Sequence, residues 1–228
     1  KLGLQNENDL IINTNFDPFS NGVIDSILSK LSLKENTNLS IVIMKPYTNK
    51  IIALLGGKNY HTSSFNCAID SSRQIGSTIK PFLYYLGLKK GMTLLTKLNS
   101  SPCTFFIQDY GFYEPKNFNS LYAYQDINMI EAIAYSDNIY AVKTHLFLGQ
   151  DMLSKTMSRV HVKTKIKQNA SDALGTSEIN IIDYSNGFIT LANEGRHESP
   201  HLIEKITDNK GNIIYEYQYK NDYVLDKK

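Results

Sequence analysis

Tryptophan is absent from the 228 residues, and cysteine occurs only twice, at Cys67 and Cys103. Two thiols so placed have no metal-ligand spacing, and they read as unpaired or buried rather than as a disulfide. The five histidines, His61, His145, His161, His197 and His201, form no H-E-x-x-H or comparable cluster, so neither a metal site nor a cofactor is expected. An excess of one charge is missing too: 24 basic against 22 acidic residues leave +2. Cations cluster only at Lys89–Lys90 and in the V-K-T-K-I-K run at 162–167. Nucleic acid is therefore not an expected partner, because such proteins present a basic face. No apolar run approaches the ~18 residues of a membrane span, and residue 1 opens no signal peptide. An anchor or export signal is expected to lie outside these residues. What is present, 42% hydrophobic residues without repeat, linker or low-complexity segment, suffices for a substantial core and reads most simply as a single domain.

The most informative stretch is Arg73 to Tyr85, R-Q-I-G-S-T-I-K-P-F-L-Y-Y. Pro81 has no N–H to donate and is comfortable only near the start of a helix. The helix therefore cannot begin much before Ser77, and Gly76 marks the bend entering it. Residues 82–88, F-L-Y-Y-L-G-L, are apolar nearly all round, as in a helix sheathed by protein. Ser77 and Lys80 thus stand three residues apart at a helix mouth, over the positive end of the dipole. Side chains at that spacing are neighbours, with about 5–6 Å between Cβ atoms. A serine hydroxyl needs a base within reach, and a lysine can be that base when burial depresses its pKa. A chain this rich in Ser and Lys yields about one S-x-x-K by chance. Placement, rather than the tetrad, carries the reading.

In chain order, residues 9–16 predict a strand, and Asp17-Pro18 a capped helix start. Ile24, Ile27, Leu28 and Leu31 then form one apolar stripe. Leu39–Lys45 and Lys50–Leu55 predict a hairpin turning at Pro46–Asn49. Residues 99–122 read as a long aromatic loop. Asp126 is placed to cap a helix carrying Ile130 and Ile133, and a second helix carries Ile139, Val142 and Leu146. Between them lies Y-S-D-N, Tyr135 to Asn138. Asn180 and Asp183 predict a capping box opening a helix that Gly195 closes. Leu202–Thr207 and Asn212–Tyr219 flank D-N-K-G, a hairpin signal.

Ser136-Asp137-Asn138 reads in two ways. It can cap a helix junction. Alternatively, Ser136 passes a proton between Lys80 and a leaving group, while Asn138 holds Lys80 and hydrogen-bonds a substrate amide. An S-D-N some sixty residues after S-x-x-K is the pattern of penicillin-recognising serine enzymes.

Longer strings carry a resemblance. G-G-K-N-Y-H-T-S-S-F-N-C-A at 56–68, running into R-Q-I-G-S-T-I-K-P-F at 73–82, resembles the surroundings of the active serine in class A penicillin-binding proteins. Y-E-P-K-N-F at 113–118 and A-I-A-Y-S-D-N-I-Y-A-V-K at 132–143 resemble the region of their second motif. A-L-G-T-S-E at 173–178, with the helix to Asn193-Glu194-Gly195, resembles the stretch before their third. The resemblance implies an α/β (α+β) fold of the penicillin-binding-protein and β-lactamase type, an antiparallel sheet flanked by helices plus an all-helical subdomain. It implies a D,D-transpeptidase, cross-linking peptidoglycan stem peptides and acylated by β-lactams. Ser77 would be its nucleophile, Lys80 its base, and Ser136 and Asn138 the second catalytic element. An extracytoplasmic, membrane-associated location through an N-terminal anchor follows from the same resemblance.

The family's third motif, K-T-G or K-S-G on a sheet strand, is missing. K-T-K at 163–165 precedes A-L-G-T-S-E and lacks the glycine, so it reads as a solvated patch. A two-stranded hairpin at 39–55 cannot bury a helix like 77–88 alone. Residues 1–228 are therefore expected to be the N-terminal and central part of the domain, with an incomplete sheet. The rest, with K-T-G, is expected beyond 228 or in a complementary chain. Two rivals remain at this level. A serine β-lactamase would need a deacylating carboxylate, and Glu178-Ile-Asn180 is the nearest approach to E-x-x-L-N. A non-enzymatic penicillin-recognising module would have no physical reason to keep Ser77, Lys80, Ser136 and Asn138 together.

Overall fold

The computed structural model describes residues 9–34, 37–107 and 111–226. They divide into two compact units. The first joins the described part of residues 1–72 to the stretch from 180 onward, and the second is Arg73–Ile179. A discontinuous unit leaves no linker to mark its boundary in the sequence.

In the first unit, β1 (Leu10–Thr14) leads into α1 (Pro18–Leu28). Asp17 caps this helix, accepting from the N–H groups of Phe19 and Ser20, with Pro18 leading the first turn. The anticipated apolar stripe is only partly a core face. Ile24 is buried, but α1 ends at Leu28, and Ile27 and Leu31 are about half exposed. β2 (Ile41–Lys45) and β3 (Lys50–Leu55) form the expected hairpin, with Ile43 opposite Ala53. Its turn is anchored by the fully buried Asn49, whose Nδ2 donates to Glu198 O at 2.8 Å and to Asn186 Oδ1. Asn66 caps the short α2 (Cys67–Asp70).

The second unit opens with β4 (Arg73–Gln74), a 3₁₀ turn at Gly76–Ile79 and α3 (Lys80–Lys89). Phe82, Leu83, Tyr84 and Leu86 are buried, as the apolar run requires. The long loop expected at 99–122 contains strands instead. β5 (Lys97–Asn99) pairs with β8 (Asp126–Asn128), and β6 (Phe105–Ile107) pairs with β7 (Gly111–Tyr113), setting Phe106 opposite Phe112. Asp126, expected to cap the next helix, lies within β8. Asn128 caps α4 (Met129–Ala134), accepting from Glu131 N at 3.0 Å while the Glu131 carboxylate accepts from Asn128 N at 2.7 Å. α5 (Asn138–Leu148) packs on α3, as does α6 (Met152–Arg159), a helix the sequence did not announce. β9 (Glu178–Ile179) pairs with β4. The helical part therefore carries three short ladders and is not helix throughout.

Back in the first unit are α7 (Ile181–Ala192), β10 (Arg196–His197), β11 (Ile203–Asp208), β12 (Ile213–Glu216) and β13 (Asp222–Tyr223). β10 pairs with β13, and β1, β11 and β12 form an antiparallel sheet, the widest among the described residues. Asn180 is the joint of this unit. Its Oδ1 caps α7 at Ile182 N, and its Nδ2 donates to the carbonyls of Ala68, Ile69 and Ser71 at 2.9–3.0 Å. Asn180→Ala removes the cap and strands those carbonyls, so urea unfolding is expected to show a loss of about 1–3 kcal/mol.

Candidate active site

All four candidate residues lie in the second unit. Ser77 is exposed on the 3₁₀ turn, and its carbonyl accepts from Lys80 N, so the turn runs directly into α3. Gly76 enters the turn at φ +57°, a conformation glycine adopts without a Cβ penalty. A second glycine braces it. Gly76 N donates to Gly175 O at 3.0 Å, and a Cβ on Gly175 would lie 2.0 Å from Gly76 O. The β4–β9 ladder, Gln74 opposite Glu178, continues this contact outward. The A-L-G-T-S-E string thus has a physical task, which is to hold the serine's turn.

Lys80 does not reach solvent as most helical lysines do, and only 4% of it is exposed. Its Nζ donates to Ser136 O at 2.6 Å, to Asn138 Oδ1 at 2.7 Å and to Ser136 Oγ at 3.0 Å. These take all three ammonium protons, and among the hydrogen bonds of the described residues none joins the Ser77 hydroxyl to the Lys80 amine. The amine is held across to the second motif, by two carbonyl-type oxygens and a hydroxyl. Burial lowers the Lys80 pKa to about 8, partly opposed by the Asp137 carboxylate. Once neutral, the amine gains a lone pair and can accept a proton from a hydroxyl.

The capping reading of S-D-N falls to Asp137, while Ser136 and Asn138 both meet the Lys80 amine. Asp137 is the structural member, 5% exposed. It caps α5 by accepting from Tyr140 N at 2.7 Å, and also accepts from Ser100 Oγ at 2.5 Å and Asn117 Nδ2 at 2.7 Å. Ser136 is exposed and held at φ +53°, a strained geometry for a residue with a Cβ. Its place between the end of α4 and the cap of α5 aims its hydroxyl at Lys80. Asn138 Nδ2 donates one proton to Lys116 O at 2.7 Å. The second amide proton remains available to a substrate carbonyl.

Sequence reasoning passed over Ser100, Lys116, Asn117 and Gly175. Asn117 was inside a recognised string, but no spacing rule connects it to Asn138. Gly175 had a weak signal, as a glycine just past a short helical turn.

A family model described as the penicillin binding protein transpeptidase domain matches residues 39–228. Penicillin-binding protein 2D of Bacillus subtilis is 37% identical over 205 residues, covering 90% of this chain and 30% of that protein. Penicillin-binding protein 1A of Escherichia coli is 31% identical over 185 residues, covering 80% of this chain and 22% of that one. Among solved structures, penicillin-binding protein 1A from Haemophilus influenzae superposes with a TM-score of 0.76 at 29% identity, over 84% of this chain and 28% of that one. PonA1 from Mycobacterium tuberculosis gives 0.82 at 20% identity, over 96% and 60%, a likeness of fold alone. The chain thus spans less than a third of the length of these two curated relatives.

Proposed function

Because this chain belongs to the penicillin-binding protein transpeptidase family, matched over residues 39–228, we propose that it is the acyl-transfer part of a serine D,D-transpeptidase acting on peptidoglycan stem peptides. Ser77 Oγ attacks the carbonyl carbon of the donor's penultimate residue, and neutral Lys80 takes its proton. Ser136, hydrogen-bonded to Lys80, hands its proton to the departing amine as the amide C–N bond breaks and takes the proton held by the Lys80 ammonium in its place, leaving Lys80 neutral again. The ester left on Ser77 is attacked by an acceptor amine, whose lost proton returns through Lys80 to Ser77 Oγ as the new amide forms. Asn138 orients the donor through its unengaged amide proton. A β-lactam follows the first half of this course, its ring C–N bond opening to leave a stable ester. The observation that carries the reading is the buried Lys80 amine, held by Ser136 and Asn138 three residues from an exposed serine.

We further propose that the third motif and the remaining sheet strands come from chain beyond residue 228 or from a second chain. A three-stranded sheet with Ile11, Ile12 and Ile213 about half exposed is consistent with that reading. Residues 1–228 are then the N-terminal and central part of the catalytic domain. The proposed location is extracytoplasmic, through an anchor preceding this segment, a reading that rests on the family alone; no helix of the described residues is long and apolar enough to cross a membrane.

The test uses protein that retains the third motif. Saturating benzylpenicillin is expected to leave a stable adduct that peptide mapping places on Ser77, and Ser77→Ala is expected to carry none. No adduct at saturation would leave only a binding module, and steady turnover of a chromogenic cephalosporin would make the protein a β-lactamase.

A further inference from the structure

Asn117 stands twenty-one residues before Asn138, yet its amide sits at the start of α5 among the groups that hold Lys80. Its Oδ1 accepts from Asn138 N at 2.8 Å and from Ile139 N at 3.4 Å, and its Nδ2 donates to Asp137 Oδ2 at 2.7 Å. The opposite orientation of the amide would set NH₂ against two N–H groups and an oxygen against a carboxylate, so the network fixes it. The neighbouring Lys116 carbonyl takes Asn138 Nδ2. Lys116 and Asn117 therefore grip Asn138 at its backbone and its side chain, leaving Oδ1 as the atom turned to Lys80. Pro115, buried and fixed in φ, anchors the dipeptide from behind.

We infer that Asn117 is a positioning residue for acylation: through Asn138 and Asp137 it sets where the second motif meets the Lys80 amine. This rests on the reading of Ser77 as an acyl-transfer nucleophile. A neutral group that both donates and accepts is required here. Asp137 already brings one buried negative charge, balanced by Ser100 Oγ, Tyr140 N and Asn117 Nδ2. A carboxylate at 117 would still accept from Asn138 N but would face Asp137 Oδ2 with no proton between them. Two such carboxylates cannot both stay ionised without moving apart, and the movement would draw Asn138 off Lys80.

Reversing the pair gives a test that a merely structural role would not pass. In the double variant Asn117→Asp with Asp137→Asn, the carboxylate at 117 accepts from Asn138 N, and the amide at 137 donates to it. The 137 carbonyl can still cap α5 at Tyr140 N, and the net charge of the cluster is unchanged. The assay is the rate of Ser77 acylation by benzylpenicillin in protein retaining the third motif, separated into drug affinity and acylation step, with melting temperatures alongside. Asn117→Asp alone is expected to slow the acylation step about tenfold or more at a pH near 8. The reversed pair is expected to recover to within about threefold. The inference is overturned if Asn117→Asp acylates normally. A folded reversed pair as slow as the single variant would overturn it as well. Failure of the unaltered protein to form any Ser77 adduct would instead refute the transpeptidase reading.

Discussion

Replacing Lys80 with methionine is expected to slow acylation of Ser77 by about 10²–10⁴-fold, the usual contribution of a positioned general base. Methionine fills a similar buried channel with an unbranched apolar chain, so the fold should survive. What disappears is the amine that joins Ser136 and Asn138 to the serine's helix. Lys80→Arg sharpens the result. Arginine keeps donors for the same three oxygens but never becomes neutral, so it can hold the scaffold without acting as a base. Both variants should be slow, and only the native enzyme should accelerate as pH rises through about 8, where burial places the Lys80 pKa. An arginine variant acylating at the native rate would refute the assignment of Lys80 as base.

The same burial has a signed effect on stability. With burial, the folded state releases the Lys80 proton at about 8, whereas an unfolded chain keeps it to the ordinary lysine value of 10.5. Between those values the unfolded state binds more protons, so this group alone makes unfolding harder as pH rises. Below about 8 the buried charge is a standing cost, and Lys80→Met is expected to remove it in denaturation curves.

Gly175→Ala is the second large effect expected, and Gly76→Ala is its control. Both glycines have positive φ, +72° and +57°, so each alanine bears a backbone strain of about 1–2 kcal/mol. Their surroundings differ. A Cβ on Gly76 meets nothing within 4 Å, whereas one on Gly175 lies 2.0 Å from Gly76 O and 2.6 Å from both Gly76 C and N. That overlap with backbone has no side chain to yield, so the turn carrying Ser77 must move. Acylation by benzylpenicillin is expected to fall by two orders of magnitude or more in Gly175→Ala, since about 1 Å of misplacement can cost 10²-fold. Gly76→Ala should mainly lower the melting temperature. Equal losses of activity in the two would refute the bracing role of Gly175.

What the sequence made legible was local chemistry with hard geometric rules. Pro81 located the helix start, the apolar run after it implied burial, and Asp17-Pro18 placed α1 to the residue. The S-D-N triplet was found, but not that one member would cap while the other two faced Lys80, because that division depends on the left-handed backbone at Ser136. Strands of two or three residues, such as K-L-N in β5 and D-I-N in β8, carry no alternation to read and exist only because a distant partner supplies their hydrogen bonds. The Asp126 assignment failed for a related reason. Two capping residues stood two positions apart, and pairing with β5 claimed the first. The unit boundaries escaped notice because Asn180 ties α7 back to carbonyls more than a hundred residues earlier.

The glycine contact behind Ser77 also has a consequence in time. Its two halves, Gly76 and Gly175, and the ladder from Arg73 to Ile179, lie about a hundred residues apart along the chain. During synthesis from the N-terminus the serine emerges long before the brace that shapes its turn. Closing a loop of that length costs only about 0.6 kcal/mol more than one half as long, so the obstacle is sequence order rather than energy. A chain halted anywhere between Lys80 and Gly175 carries the serine and the lysine without the contact that shapes the serine's turn, and is expected to form no benzylpenicillin adduct at that stage.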